Sequence, residues 1–169
     1  MLVVDTYFSL LGLPANFALD LTQLEQAWRQ ASARVHPDRF ATASAAEKRV
    51  AMQWASRINQ AYDTLKNPVK RAAYLCELAD HTVDAENNTR MDSAFLIKQM
   101  QWREQLDEVR GKPEQMLVLL NAIEQEAQTL EGCLTELLDH KKDFALATEK
   151  VRQLMFVAKI QNEIKSLLA

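Results

Sequence analysis

Arg34-Val35-His36-Pro37-Asp38-Arg39-Phe40 is the stretch on which the architecture turns, because one helical pattern stops there and another begins a few residues later. Proline has no backbone N–H and biases the residue before it away from the α region, so the helix leading into His36 ends at this point. Ser44, with Glu47 three residues on, has the form of a capping box and opens the next helix. The segment between them is short, held at both ends, and carries an imidazole, a rigid kink and a carboxylate. Two readings are open for the triplet taken alone: turn chemistry, in which Asp38 bonds its own backbone, or a surface presented to a partner. A catalytic His-Asp pair is disfavoured, since the neighbouring candidates for a nucleophile are only Ser32, Thr42 and Ser44 in helix or loop contexts.

Upstream, Asp20 caps a helix whose Leu21, Leu24, Ala27, Trp28, Ala31 and Val35 share one stripe. Its far side carries Gln26, Arg29, Gln30, Ala33 and Arg34 and no acid, although Glu25 borders it. Downstream, a helix from about Ser44 to Lys66 turns Val50, Ala51, Trp54, Ile58, Ala61, Tyr62 and Leu65 toward the first, which predicts an antiparallel hairpin ended by Asn67-Pro68. A short helix from Asp5 to Leu11, stopped by Gly12 and Pro14, is expected to lie across that pair. A further helical segment, Val69 to Leu75, stops before Asp80-His81.

Three glycines and four prolines in 169 residues are too few for strands joined by tight turns, so the expected fold class is all-α. The apolar run Met1-Leu2-Val3-Val4 is cut by Asp5, too short for a signal-peptide core or a membrane span, and the expected compartment is the cytoplasm. Cys76 and Cys133 have no second Cys or His at a ligand spacing, which argues against zinc and for two small apolar side chains in a reducing compartment. Residues 1–79 hold nine Lys/Arg against seven Asp/Glu and residues 80–169 hold eleven against sixteen, a balance that argues against nucleic acid and is compatible with an acidic protein partner for the first part.

The polar, non-periodic text from Asp80 to Arg90 predicts a linker between two domains, 1–79 and 91–169. From Met91 the pattern is a three-helix bundle. Its first helix runs to about Arg110 and ends at Gly111, and Pro113 opens the second. In that second helix Met116, Leu120, Ile123, Ala127, Leu130, Leu134 and Leu137 form an unbroken seam. Asp143 caps the third, buried through Ala147, Val151, Leu154, Val157, Ala158 and Leu168. In the first of these helices Met91, Phe95, Trp102, Leu106 and Val109 cluster on one side. Leu96, Ile97 and Met100 cluster roughly 150° away, at ~100° per residue. One stripe suffices for a bundle helix, so the second is surplus, bordered by Arg103, Glu104 and Glu108. Phe156 is surplus on the last helix by the same geometry. Such a patch is either a well-buried helix face or a partner site with apolar residues at its centre and charges at its rim.

The order of a Tyr7-Phe8 helix, a hairpin with His36-Pro37-Asp38 at its tip, and Asn59-Gln60-Ala61-Tyr62, Leu65, Asn67-Pro68, Lys70-Arg71 and Tyr74 resembles a J-domain over about the first 79 residues. That resemblance implies a co-chaperone that docks on a heat-shock-70-class ATPase and stimulates ATP hydrolysis. His36, Pro37 and Asp38 would make the essential contact, and Arg29 and Arg34 would supply charge complementarity. Val35 departs from the tyrosine common before the histidine.

Joined to the bundle, with Ser93-Ala94-Phe95-Leu96-Ile97 and Arg103-Glu104-Gln105-Leu106-Asp107-Glu108 in its first helix, the whole chain is similar to the HscB-type co-chaperones of iron–sulfur cluster assembly. The resemblance implies that the bundle holds the scaffold protein IscU and delivers it to the chaperone HscA. The matching positions for scaffold binding are Leu96, Ile97, Met100, Arg103, Glu104, Glu108 and Phe156. Gln101 replaces an acidic position of the family pattern, and the cysteine pairs of eukaryotic relatives are absent. It further implies an adaptor rather than an enzyme, with no cofactor of its own. The alternatives are a J-domain protein for a different client, or a structural helical adaptor whose loop is inert.

Overall fold

The computed structural model describes residues 5–83 and 91–169, and among them the regular structure is entirely helical. The segment Met1–Val4 and most of the expected linker, residues 84–90, lie outside the described residues. Two compact units divide the chain between Leu75 and Cys76.

In the first unit, α1 (Tyr7–Leu10) opens with a reciprocal Thr6–Ser9 capping box. The chain then turns at Gly12, whose φ of +67° is a conformation that favours glycine. Helix α2 (Leu21–Arg34) is capped by the Asp20 carboxylate, which accepts the backbone N–H groups of Thr22 and Gln23. Helix α3 (Ala45–Lys66) carries the expected Ser44–Glu47 capping box. Leu24, Ala51, Ile58, Ala61 and Leu65 are sealed in the α2–α3 hairpin. Trp28 stacks on Tyr62 at 4.5 Å, and its Nε1–H donates to Asn59 Oδ1 at 3.0 Å.

Helix α4 (Pro68–Leu78) begins at the expected Asn67-Pro68 break. Its Tyr74 stacks on Tyr7 at 4.7 Å and accepts the Tyr7 backbone N–H at 2.9 Å, which ties α1 down. Arg71 is buried, and its guanidinium donates to the carbonyls of Phe17 and Leu65 at 2.8 and 2.6 Å. A buried cation is tolerated where its donors find such acceptors.

Part of the expected hairpin core is not core. Val50 and Trp54 stay 51% and 39% exposed, and Leu21, the first residue of α2, is exposed as well. Val50 and Trp54 lie on the side of α3 that the spacing predicts, with Ala51, Ile58, Ala61 and Leu65 buried there, but their own facing partners are short. Val35 is only half-buried, and with Phe40, Val50, Ala51 and Trp54 it lines an open recess of about 310 Å³ instead of filling it.

In the second unit, α5 (Ser93–Val109) is followed by Gly111 at φ +81°, and α6 (Pro113–Thr135) starts with Pro113 in its first turn. Every residue of the predicted α6 seam is buried. A single π turn, Glu136–His140, and the Asp143 cap lead into α7 (Phe144–Leu168). Ala147, Val151, Leu154 and Val157 are buried as expected, and the same stripe continues through Ile160 and Ile164. That continuation leaves Ala158 and Leu168 half-buried at its flank. Ion pairs bridge the packed helices at their edges: Lys98–Glu126 at 3.0 Å joins α5 to α6, Lys165–Glu124 at 3.8 Å joins α7 to α6, and Arg103–Glu163 at 2.5 Å joins α5 to α7. Among the described residues no helix is long and apolar enough to cross a membrane, and no group of three or more His, Cys, Asp or Glu is placed to hold a metal ion.

Two candidate binding surfaces

The hairpin tip is more ordered than a bare loop. Pro37–Phe40 form one 3₁₀ turn, and His36 is its N-cap. The Asp38 backbone N–H donates to His36 Nδ1 at 3.3 Å, and the Asp38 carboxylate lies 3.6 Å from the same nitrogen. With Nδ1 used as an acceptor, the neutral ring carries its proton on Nε2, so its free edge is a donor. Both side chains are exposed, that of Asp38 to 92%. The turn therefore fixes an imidazole donor and a carboxylate acceptor side by side in water. Proline at its first position limits the conformations that must be lost on contact.

Arg34 is exposed in the last turn of α2, two residues before His36. Arg29 is exposed too, but its Nη2 is 2.6 Å from Glu25 Oε1 across one helical turn. That hydrogen bond and the charge of Glu25 raise its pKa above the ordinary guanidinium value. The acid at the border thus partly neutralises the basic face. Beside the turn, Pro37, Phe40, Ala41, Lys48, Met52 and Ala55 line a second recess of about 370 Å³ with Val35 and Ala51, the last two of which the sequence pattern assigns to the hairpin core.

On α5, Phe95, Trp102 and Leu106 are buried, whereas Leu96, Ile97 and Met100 are 44%, 56% and 64% exposed. The two stripes separate as the periodicity requires. Glu104 and Glu108 are exposed beside the outer stripe, and Arg103 borders it, half-buried. Phe156 on α7 is half-buried, so it is not fully presented to solvent.

The first and third helices of an up-down-up bundle run parallel. Arg103 contacts Glu163, Leu96 lies seven residues before the one, and Phe156 seven before the other. Seven residues make about two turns, so Leu96 and Phe156 stand on the same sides of their helices as the ion pair and at a common level. Sequence reasoning missed Glu163 and Asp107; the latter pairs with Arg110 at 3.6 Å on the same face of α5. A carboxylate on α5 at that spacing was visible, but a partner sixty positions away was not.

Residues 6–74 match the DnaJ domain family, and residues 91–165 match the family described as the HSCB C-terminal oligomerisation domain. A co-chaperone protein HscB homolog of Bordetella parapertussis is 53% identical over 165 residues, spanning 98% of this chain and 97% of the relative. The chain belongs to the HscB family. Solved members share the architecture: the chaperone HscB from Vibrio cholerae is 33% identical with a TM-score of 0.82, covering 96% of each chain. Human co-chaperone protein HscB is 26% identical with a TM-score of 0.90, covering 97% of this chain and 82% of its own. The HscB relatives are co-chaperones, and the matched families are a J-domain and an HscB C-terminal domain, neither of them catalytic.

Proposed function

We propose that this protein is a cytoplasmic adaptor of iron–sulfur cluster maturation, with residues 1–79 as the J-domain, 80–90 as a connector and 91–169 as the scaffold-binding bundle. In this reading Leu96, Ile97, Met100, Arg103, Glu104, Glu108 and Phe156 hold the scaffold protein IscU. His36, Pro37 and Asp38, with Arg29 and Arg34, engage the heat-shock-70-class chaperone HscA and stimulate its ATPase. The observation that carries the reading is the solvent-facing Leu96-Ile97-Met100 stripe on a helix whose other stripe already fills the core.

The turn supplies no reacting group, so it accelerates hydrolysis only by favouring the chaperone conformation in which hydrolysis is fast. Scaffold held on the bundle arrives at the chaperone together with that trigger. The test is a steady-state ATPase assay of purified chaperone with and without scaffold, run with wild-type protein and His36→Gln. The variant should lose stimulation and keep its scaffold affinity. Full stimulation by His36→Gln sinks the assignment of the turn, and stimulation by the wild type without any scaffold binding points to a different client.

A further inference from the structure

Arg103 is held by a residue that no motif marks. Its Nη1 donates to Glu163 Oε2 at 2.5 Å, and Arg110 approaches the other oxygen of the same carboxylate at 3.8 Å. A guanidinium has five N–H donors in a fixed plane, and the Arg103 side chain remains 41% exposed. One donor is therefore engaged across the helix pair while others remain on the open side. We infer that Glu163 is a positioning residue for scaffold recognition: it fixes the Arg103 guanidinium at the edge of the Leu96–Met100 stripe, ready for a carboxylate on the scaffold surface. This deepens the proposed function and rests on it.

The geometry favours positioning over a plain structural tie. Arg103 follows Leu96 by seven residues and Met100 by three, so it stands at the border of the exposed stripe. An arginine free in solvent must lose rotamer freedom on forming a bidentate contact, and one already pinned at a single N–H loses less. The carboxylate of Glu163 is itself about one-third exposed and shared by two arginines, and Arg110 is paired with Asp107 as well, so Arg103 is the cation at the edge of the stripe with donors to spare. Glu104 and Glu108, exposed on the other side of the stripe, present the opposite sign. Arg103 thus marks the edge of the patch toward α7, and Glu104 and Glu108 mark the edge away from it.

The experiment is a titration-calorimetry cycle on the full chain with purified scaffold: wild type, Glu163→Ala, Arg103→Ala and the double variant, plus the exchange Arg103→Glu with Glu163→Arg. Glu163→Ala should weaken binding about five-fold, the order expected when one long side chain loses its pre-organisation. It should have no effect once Arg103 is alanine. The exchange should not restore affinity, because it inverts the charge shown to the scaffold. Equal losses in both Arg103 backgrounds, or recovery of affinity by the exchange, overturn the inference in favour of a structural tie. Unchanged or tighter binding by Glu163→Ala also overturns it, the latter meaning that Glu163 competes with the scaffold for the guanidinium. If Arg103→Ala alone binds normally, the scaffold site falls with it; if Arg103→Ala weakens binding and Glu163→Ala does not, only the inference falls.

Discussion

Replacing Leu96, Ile97 and Met100 together by alanine separates a binding face from a buried one. They keep 44%, 56% and 64% of their surface in water. Complete burial of such side chains is worth about 2 kcal/mol each, so covering what remains exposed contributes about 1 kcal/mol apiece. Alanine retains part of that area, and the triple variant should lose about 2 kcal/mol of scaffold binding, close to thirty-fold in Kd. The fold should barely register the change, since the lost surface was already hydrated. Leu106, 1% exposed on the opposite side of the same helix, gives the contrast. Leu106→Ala should cost about 2–5 kcal/mol of stability through lost burial and a cavity. Calorimetric titration against scaffold and thermal unfolding, run in parallel, give both numbers. A triple variant that binds like wild type, or that destabilises as much as Leu106→Ala, refutes the reasoning.

Two further outcomes rest on other parts of the chain. Val35→Tyr should place a ring in the recess beside Phe40 and raise the unfolding temperature of the first unit by about 4–8 °C, the effect of about 1 kcal/mol in a domain of this size; a lower unfolding temperature means the recess cannot accept the ring. Burial pushes the Cys76 thiol up to about 11, whereas Cys133 is half-buried, so iodoacetamide at mildly alkaline pH should label Cys133 first. Peptide mass spectrometry showing Cys76 alkylated ahead of Cys133 contradicts that order.

Local rules made most of the helix ends readable. Asp20, Ser44 with Glu47, Pro113 and Asp143 each act through neighbours within four positions, and each sits where its chemistry places it. The surplus stripe on α5 was legible for a related reason, because a helix with two apolar sides can bury only one in a three-helix bundle. Val50 and Trp54 depart from the expected core because periodicity reports which way a side chain points and not whether the facing helix has volume to cover it. The 3₁₀ turn at Pro37–Phe40 is too short to carry a period. Glu163 was invisible for a third reason: its partner lies on another helix, and the offset between those helices is fixed by packing that no pattern within one helix contains.

The turn belongs to one compact unit and the exposed stripe to the other, each with its own core. A molecule that carries its two contacts on separate bodies behaves as a bivalent tether, and tethers have an optimum dose. On the proposed function, each added copy below that dose joins one scaffold to one chaperone. Above it, copies saturate the two partners separately, and the three-body assembly declines although every pairwise contact is intact. A cell that uses such a connector therefore gains from keeping it scarcer than the proteins it joins.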